Sequence, residues 1–150
     1  MDLSGEYRIP ASRERVWEFL NDPDILKQCI PGCEAIAKDG DDKFSATVVL
    51  RIGPMKVRFT GNVSLTDKVY PESYRISGEG SGGIAGHAKG GANVRLTQDG
   101  SETILNYSVD THIGGKIAQL GSRLISSTSK KLADQFFGKF TEVASQSVSA

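Results

Sequence analysis

The chain has 150 residues, and its 18 Lys and Arg balance its 18 Asp and Glu, so the formal net charge is zero. This balance argues against a broad basic surface for nucleic acid. The N-terminus lacks the basic and apolar regions of a secretory signal, and no apolar run approaches the roughly 18 residues of a membrane-spanning helix. We therefore expect a soluble, cytoplasmic protein with one domain over residues 1–150, frayed over residues 146–150.

The N-terminal segment predicts one strand followed by two short helices. Residues 3–9 alternate between apolar and polar side chains, as in a short strand. Ser12 is a good N-cap for a helix over residues 13–20. Asp22 can cap a second short helix, and Pro23 fits the first position of that helix.

Strict alternation then predicts a long antiparallel hairpin. Apolar side chains occupy every second position in residues 44–52 and again in residues 55–65. Gly53 and Pro54 form the turn between the two strands. A shorter strand is expected before them, over residues 33–38. The hairpin has one apolar and one polar face, which is typical of a sheet that covers a helix on one side.

The following strands are rich in glycine. The chain has 17 glycines, and seven of them lie between Gly78 and Gly91. The inward positions of this region carry small residues: Gly78, Gly80, Gly86, Ala88, Gly90 and Ala92. Small inward residues indicate either a helix that docks very closely or a cavity between helix and sheet, and the pattern leaves both interpretations open. A last strand over residues 105–111 follows.

The last third of the chain predicts one long amphipathic helix. Large apolar residues recur at helical spacing, without a Pro, so we expect the helix to run from Ile113 to about Ser145. Small residues of the helix are expected to face small residues of the sheet: Gly114, Ala118 and Gly121 against Gly86, Ala88 and Gly90. Consecutive strands without β–α alternation predict an α+β fold, in which a curved antiparallel sheet grips the C-terminal helix.

No catalytic or metal-binding motif stands out in the sequence. His87 and His112 fall on the outward parity of their strands, so we expect both at the surface. Cys29 and Cys33 are too few for a disulfide framework or a closed zinc site, and we expect reduced thiols. The serines of the long helix have no base beside them in the pattern, so nucleophilic catalysis is not supported.

Four stretches carry a family resemblance that covers nearly the whole chain. They are GEYRIPASRERVWEFLNDPDILKQCIPGCE, GPMKVRFTG, ISGEGSGGIAGHAKGGANVRL and IGGKIAQLGSRLISSTSKKLADQFF. Through them the sequence closely resembles the carbon monoxide dehydrogenase G-subunit family. That family lies within the START-like and polyketide-cyclase-like superfamily of helix-grip proteins.

The resemblance implies an accessory role without catalysis. A member of this family is expected to hold a lipophilic molecule such as a quinone, with no tightly bound cofactor. It would link a molybdenum-containing carbon monoxide dehydrogenase, or a related hydroxylase, to the membrane and its electron acceptors. Many members continue into a C-terminal anchoring segment, and residues 1–150 contain none, so we expect the contact of this domain with the membrane to be peripheral.

Two other functions remain open from the sequence. The same fold with a collapsed cavity would serve as an interaction or maturation factor for the hydroxylase. A polar acid–base group inside the cavity would instead indicate an enzyme of cyclase or hydrolase type.

The expected ligand pocket lies between the sheet and the long helix. Its predicted lining is Val48, Leu50, Val57, Phe59, Tyr74, Ile76, Tyr107 and Val109 from the sheet, Ile117, Leu120 and Leu124 from the helix, and Cys29, Ile30 and Pro31 at the mouth.

Overall fold

The computed structural model describes residues 2–148. In chain order the elements are β1 (Asp2–Ile9), α1 (Arg13–Leu20), α2 (Pro23–Cys29), β2 (Cys33–Gly40), β3 (Lys43–Ile52), β4 (Met55–Val69), β5 (Ser73–Ser81), β6 (His87–Asp99), β7 (Glu102–Gly114) and α3 (Ser122–Val148). Short 3-10 segments lie at Gly83–Ala85 and Lys116–Leu120.

The seven strands form one antiparallel sheet in the order β1-β7-β6-β5-β4-β3-β2. Helix α3 contacts both β1 and β3. These strands are five positions apart, about 24 Å in a flat sheet, whereas a helix with its side chains is about 10–12 Å wide. The sheet must therefore curve around α3, which confirms the α+β helix-grip fold.

The two short helices begin where the sequence predicts. The side chain of Ser12 accepts a hydrogen bond from the backbone N–H of Arg15, and that of Asp22 accepts one from Asp24. Pro23 occupies the first turn of α2, where its missing N–H costs nothing. Both helices contact α3 and cover its C-terminal half.

Because neighbouring strands run antiparallel, the turns alternate between two ends of the sheet. We call the end with the β2–β3, β4–β5 and β6–β7 turns the core end, because the main hydrophobic cluster lies there. Phe140 of α3 is fully buried in that cluster, together with Ile9 and Leu105. Tyr7 of β1 also donates a side-chain hydrogen bond to Asp134 of α3.

The distal end carries the β3–β4 and β5–β6 turns and the connection from β7 to α3. A smaller cluster lies there, formed by Ile52, Val57, Ile117 and Ile125. The wall of the sheet between the two clusters consists largely of the small residues of β5 and β6.

The predicted start of the long helix is wrong. Residue Ile113 still belongs to β7, and α3 begins only at Ser122. Two glycines with left-handed backbone conformations interrupt the path, Gly115 with φ 85° and Gly121 with φ 96°. Other residues rarely adopt such angles, so the glycines that we assigned to the helix are in fact the residues that delay it.

The expected packing of small helix residues on the sheet is wrong for the same reason. Ala118 and Gly121 are exposed, and a Cβ on Gly121 would have no heavy atom of the rest of the fold within 4 Å. Only Gly114 approaches the expected partner, as the end of a strand. A Cβ on Gly86 would lie 2.3 Å from the carbonyl oxygen of Gly114.

Gly121 and Gly138 are both exposed, but they should respond oppositely to alanine. Gly121→Ala should lower the free energy of unfolding by about 1–3 kcal/mol, because its backbone angles suit only glycine. Gly138→Ala lies inside α3 with open space around its Cβ, so it should raise stability by up to about 1 kcal/mol. Urea unfolding of both variants measures the difference, and equal effects would contradict the assigned helix start.

No helix within residues 2–148 combines the length and the apolar content needed to cross a bilayer. The backbone of α3 continues to Val148. Of the tail expected over residues 146–150, the last two residues lie outside the described part of the chain.

Candidate functional site: an apolar cavity between sheet and helix

An apolar cavity of about 420 Å³ lies between the sheet and the N-terminal half of α3. Its walls come from the five strands β3 to β7, the 3-10 segment before α3, α3 itself and the loop after α2. The lining residues are Ile30, Pro31, Val48, Leu50, Ile52, Phe59, Gly80, Ala88, Thr111, Ile113, Ile117, Ile125, Thr128, Ser129 and Leu132. The volume falls within the range of about 300–1,000 Å³ that is usual for small-molecule sites.

A second space of about 350 Å³ adjoins the first along the inner face of the sheet. Both are bounded by the same five residues, Val48, Phe59, Gly80, Ala88 and Thr111. The second compartment then extends over the inward side chains of Ala46, Val63, Ile76, Ala92 and Val109 towards the core end. Together the two compartments offer room for an elongated ligand.

The glycines of β5 and β6 explain why this space is open. A Cβ on Gly80 would meet its nearest neighbours only at 3.9–4.0 Å, so the absent side chain leaves free volume. Gly90 acts differently, because a Cβ there would lie 2.2 Å from the carbonyl oxygen of Asp110 on β7. The glycine-rich strands therefore contain both a cavity wall and a close backbone approach.

Among the described residues that line the first compartment, three have polar side chains, all of them hydroxyls: Thr111, Thr128 and Ser129. Thr128 and Ser129 lie on α3 between Ile125 and Leu132, in the stripe that faces the sheet. Within the described part of the chain, neither of these two hydroxyls has a hydrogen-bond partner, whereas Ser127 bonds its own helix through the carbonyl of Leu124. The cavity therefore presents two donors that a ligand could use.

Eight of the expected lining residues lie in the two compartments. Val48, Leu50, Phe59, Ile117, Ile30 and Pro31 line the first, and Ile76 and Val109 line the second.

The other six expected residues lie elsewhere. Tyr74 packs edge-on against Trp17 in the core, and Tyr107 stacks with Tyr7 and Phe137. Cys29 belongs to the same core, and Val57 is buried within the distal cluster. Leu120 packs against that cluster from the 3-10 segment, and Leu124 lies under the Gly53 turn.

Sequence reasoning missed Thr128 and Ser129. We placed the helix face with Ile117, Leu120 and Leu124, which belong before or at the edge of α3. With the helix starting at Ser122, the spacing from Ile125 to Leu132 puts both hydroxyls on the apolar face. Two polar residues on an otherwise apolar helix face were the sequence signal that could have identified them.

Among the described residues, the cavity does not bring together groups for acid–base chemistry. Glu79 and Lys89 border the second compartment, but both are exposed. They lie opposite each other in the register of β5 and β6, on the outer face of the sheet. Both histidines are exposed. Within residues 2–148 no group of three or more His, Cys, Asp or Glu is placed to hold a metal ion. Burial raises the pKa of the Cys29 thiol, which keeps it protonated.

Solved structures with the same architecture extend over the whole chain. A conserved protein from Geobacillus kaustophilus is 30% identical, with a TM-score of 0.92 over 98% of this chain and 97% of that chain. The Zhui aromatase/cyclase from Streptomyces sp. R1128 is 15% identical, with a TM-score of 0.70 over 99% and 95% of the two chains. A START superfamily protein from Mycobacterium smegmatis is 15% identical, with a TM-score of 0.66 over 95% and 98%. A search of curated proteins finds no match.

A sheet wrapped around one long helix, with an apolar cavity between them, defines the helix-grip class that includes START proteins and polyketide cyclases. Within this class the family model for the carbon monoxide dehydrogenase G-subunit (CoxG) matches residues 5–145. The chain belongs to that family.

Proposed function

We propose that this protein is a non-catalytic accessory protein that binds a quinone in the cavity under α3. It would hold the quinone as an electron acceptor for a molybdenum-containing carbon monoxide dehydrogenase or related hydroxylase, at the cytoplasmic face of the membrane. The observation that carries the proposal is the apolar cavity with two unpartnered hydroxyls in its wall.

The chemistry of the wall suits a flat ring with a hydrocarbon tail. Burial of apolar ligand surface contributes about 25 cal/mol per Å² before the costs of association. The first compartment is apolar apart from its three hydroxyls, and the second continues along Ile76 and Val109. A ring in the first compartment would leave the second for an isoprenoid tail.

Quinone carbonyls are hydrogen-bond acceptors, and hydroxyl groups can donate to them. Thr128 and Ser129 are adjacent on α3, and both hydroxyls border the same space. One or both could therefore orient the ring through a carbonyl, which a purely apolar wall could not do.

Membership in the family supports the hydroxylase as the partner, since the family takes its name from carbon monoxide dehydrogenase. An enzyme of cyclase type has less support. The aromatase/cyclase neighbour is only 15% identical, which bears on the fold alone. Among the described residues, the wall of the first compartment also includes no His, Asp, Glu or Tyr that could act as an acid or base.

The direct test is equilibrium binding of a short-chain quinone, followed by isothermal calorimetry and by native mass spectrometry. We expect one quinone per chain, and a faster reduction of quinone by the purified hydroxylase when the protein is added. Failure to bind any quinone or other lipophile would favour the interaction factor without a ligand.

Removal of the two hydroxyls should weaken quinone binding specifically. In the double variant Thr128→Val with Ser129→Ala, affinity for the quinone should fall by about two- to tenfold for each hydrogen bond lost. Affinity for a hydrocarbon of similar size should not fall, and stability should hardly change because neither hydroxyl is bonded within the fold.

Ser127→Ala is the matched control on the same helix, because its hydroxyl bonds the carbonyl of Leu124 and lies outside the cavity wall. Equal losses for quinone and hydrocarbon would contradict a role for the hydroxyls in recognising the carbonyl.

A further inference from the structure

The charges of this protein are segregated along the strand direction, although its net charge is zero. Three long stretches contain no Asp or Glu: residues 43–66, 80–98 and 111–133. Each of these stretches contains one of the three connections at the distal end, so those connections are free of acidic residues. At the core end, five aspartates lie in the turns or in the strand ends next to them: Asp39, Asp41, Asp42, Asp67 and Asp99.

Four exposed cations surround the distal end. Arg51 and Lys56 lie opposite each other across the β3–β4 hairpin, next to its turn. Lys116 begins the 3-10 segment after β7, and Arg123 lies in the first turn of α3. None of the four forms an ion pair within the described residues, unlike Arg58, which pairs with Glu34.

The distal end also presents an exposed apolar side chain. Ile84 is 87% exposed on the 3-10 segment Gly83–Ala85 between β5 and β6. Left-handed glycines flank it, Gly83 with φ 65° and Gly86 with φ 138°. These angles turn the chain sharply on both sides of Ile84, and its exposed side chain projects into solvent.

The cavity lies directly beneath this surface. Ile52 and Ile117 line it, and each directly follows one of the cations, Arg51 and Lys116. A Cβ on Gly82, at the base of the projecting segment, would contact Val57 and Phe59. The cations and Ile84 therefore surround the end of the domain that holds the first compartment.

We propose that the distal end docks on an anionic phospholipid bilayer, with Ile84 inserted among the acyl chains and the four cations on the headgroups. This inference rests on the proposed function, because a quinone that partitions into lipid is best exchanged where the cavity meets the bilayer. Docking would place that end of the cavity against the membrane and leave the core end in water.

The combination of charges and an apolar tip favours a bilayer over an acidic protein partner. Basic side chains near an anionic membrane each contribute to binding, and an apolar side chain between them can enter the hydrocarbon region. The other two large exposed apolar residues among those described, Val69 and Tyr70, lie at the core end beside Asp67 and Glu72. Tyr70 packs against Trp17, and acidic residues lie beside Val69, so the core end lacks the basic charge that an anionic membrane attracts.

Co-sedimentation with vesicles of phosphatidylcholine, with and without phosphatidylglycerol, tests the proposal. The full chain should bind the anionic vesicles more tightly, and binding should weaken as salt shortens the range of the charges. The double variant Arg51→Ser with Lys56→Ser should lose about fivefold in partitioning for each charge removed. Ile84→Ser should lose about tenfold on the same vesicles.

The matched control removes two cations from the core end, Lys38→Ser with Lys43→Ser. Both are exposed and carry no ion pair within the described residues, and the net charge changes by the same amount. Equal losses for the two double variants would overturn a docking surface at the distal end. So would binding that ignores phosphatidylglycerol and salt.

Quinone binding measured without vesicles separates this inference from the proposed function. A protein that takes up quinone from aqueous dispersion but ignores anionic vesicles would overturn the docking surface alone. If Arg51 and Lys56 instead govern salt-sensitive binding to the hydroxylase without any vesicle binding, the surface belongs to a protein partner and the proposal is wrong. A protein that binds anionic vesicles through the distal end but takes up no quinone would support the docking surface and refute the quinone site.

Discussion

Replacing Ala88 by phenylalanine is expected to abolish quinone binding while the protein stays folded. Ala88 borders both compartments of the cavity, and its neighbours across the sheet are Gly80 on β5 and Ile113 on β7. An aromatic ring at this position can lie over the glycine, where a side chain is missing, and fill the space that the ligand would occupy.

The expected loss is about a hundredfold or more in affinity, which corresponds to about 3 kcal/mol. The free energy of unfolding should change little or rise by about 1 kcal/mol, because the ring fills a cavity and does not enter a packed core. Calorimetric titration with a short-chain quinone gives the affinity, and urea unfolding gives the stability.

The control for this variant is Thr97→Phe on the same strand. Thr97 is exposed on the outer face of β6, so its replacement adds the same ring without entering the cavity. Full binding by Ala88→Phe in a folded protein would show that the quinone lies elsewhere. A large loss of stability in Ala88→Phe would show that the space is not free.

The face of each strand was predictable from the sequence because side chains alternate strictly along a strand. Phe44 and Ile52 are both buried on the inner face, as the alternation requires, and His87 and His112 are both exposed. The turn residues also carried reliable information, since Gly53 and Pro54 lie between β3 and β4. The alternation depends only on neighbouring residues, so each strand could be assigned without knowledge of the tertiary contacts. The resulting series of strands predicted the fold class.

The sequence did not predict whether an inward-facing residue lines the cavity or packs in the core. Tyr74 and Tyr107 have the inward parity that we assigned, but they pack against aromatic partners in the core. Parity indicates which face a side chain occupies, whereas its distance from the cavity depends on where α1 and α3 dock. Those contacts join residues far apart in sequence, so the pattern could not separate cavity wall from core.

The predicted start of α3 was wrong for a conformational reason. Gly114, Ala118 and Gly121 have the spacing of a helical stripe, and their spacing alone cannot reveal that Gly115 and Gly121 take left-handed angles. Because of the same error, we assigned the wrong face of the helix to the cavity and did not identify Thr128 and Ser129 as lining residues. The residues that carry the proposed recognition of the ligand were therefore the ones most sensitive to the helix boundary.

The two hydrophobic clusters predict that the C-terminal half of α3 contributes most to stability, whereas its N-terminal half contributes to ligand binding. Phe140→Ala should lower the free energy of unfolding by about 3–5 kcal/mol. Its side chain is fully buried and stacks on Phe136 with ring centroids 5.8 Å apart, so its removal leaves a cavity lined by well-packed neighbours. Because domains of this kind are stable by about 5–15 kcal/mol, this single change removes a large part of the total.

Leu132→Ala, two turns earlier on the same face of α3, is expected to cost only about 1–2 kcal/mol, because part of the leucine already borders empty space. It should nevertheless weaken quinone binding, whereas Phe140→Ala should leave the affinity of the folded fraction unchanged. Gln135→Ala, exposed on the outer face of α3, should change neither quantity. Urea unfolding gives the free energy of unfolding of the three variants, and quinone titration gives their affinities. If Leu132→Ala were as destabilising as Phe140→Ala, the space beneath the N-terminal half of α3 would be as tightly packed as the core, and a ligand could enter only by moving the helix away from the sheet.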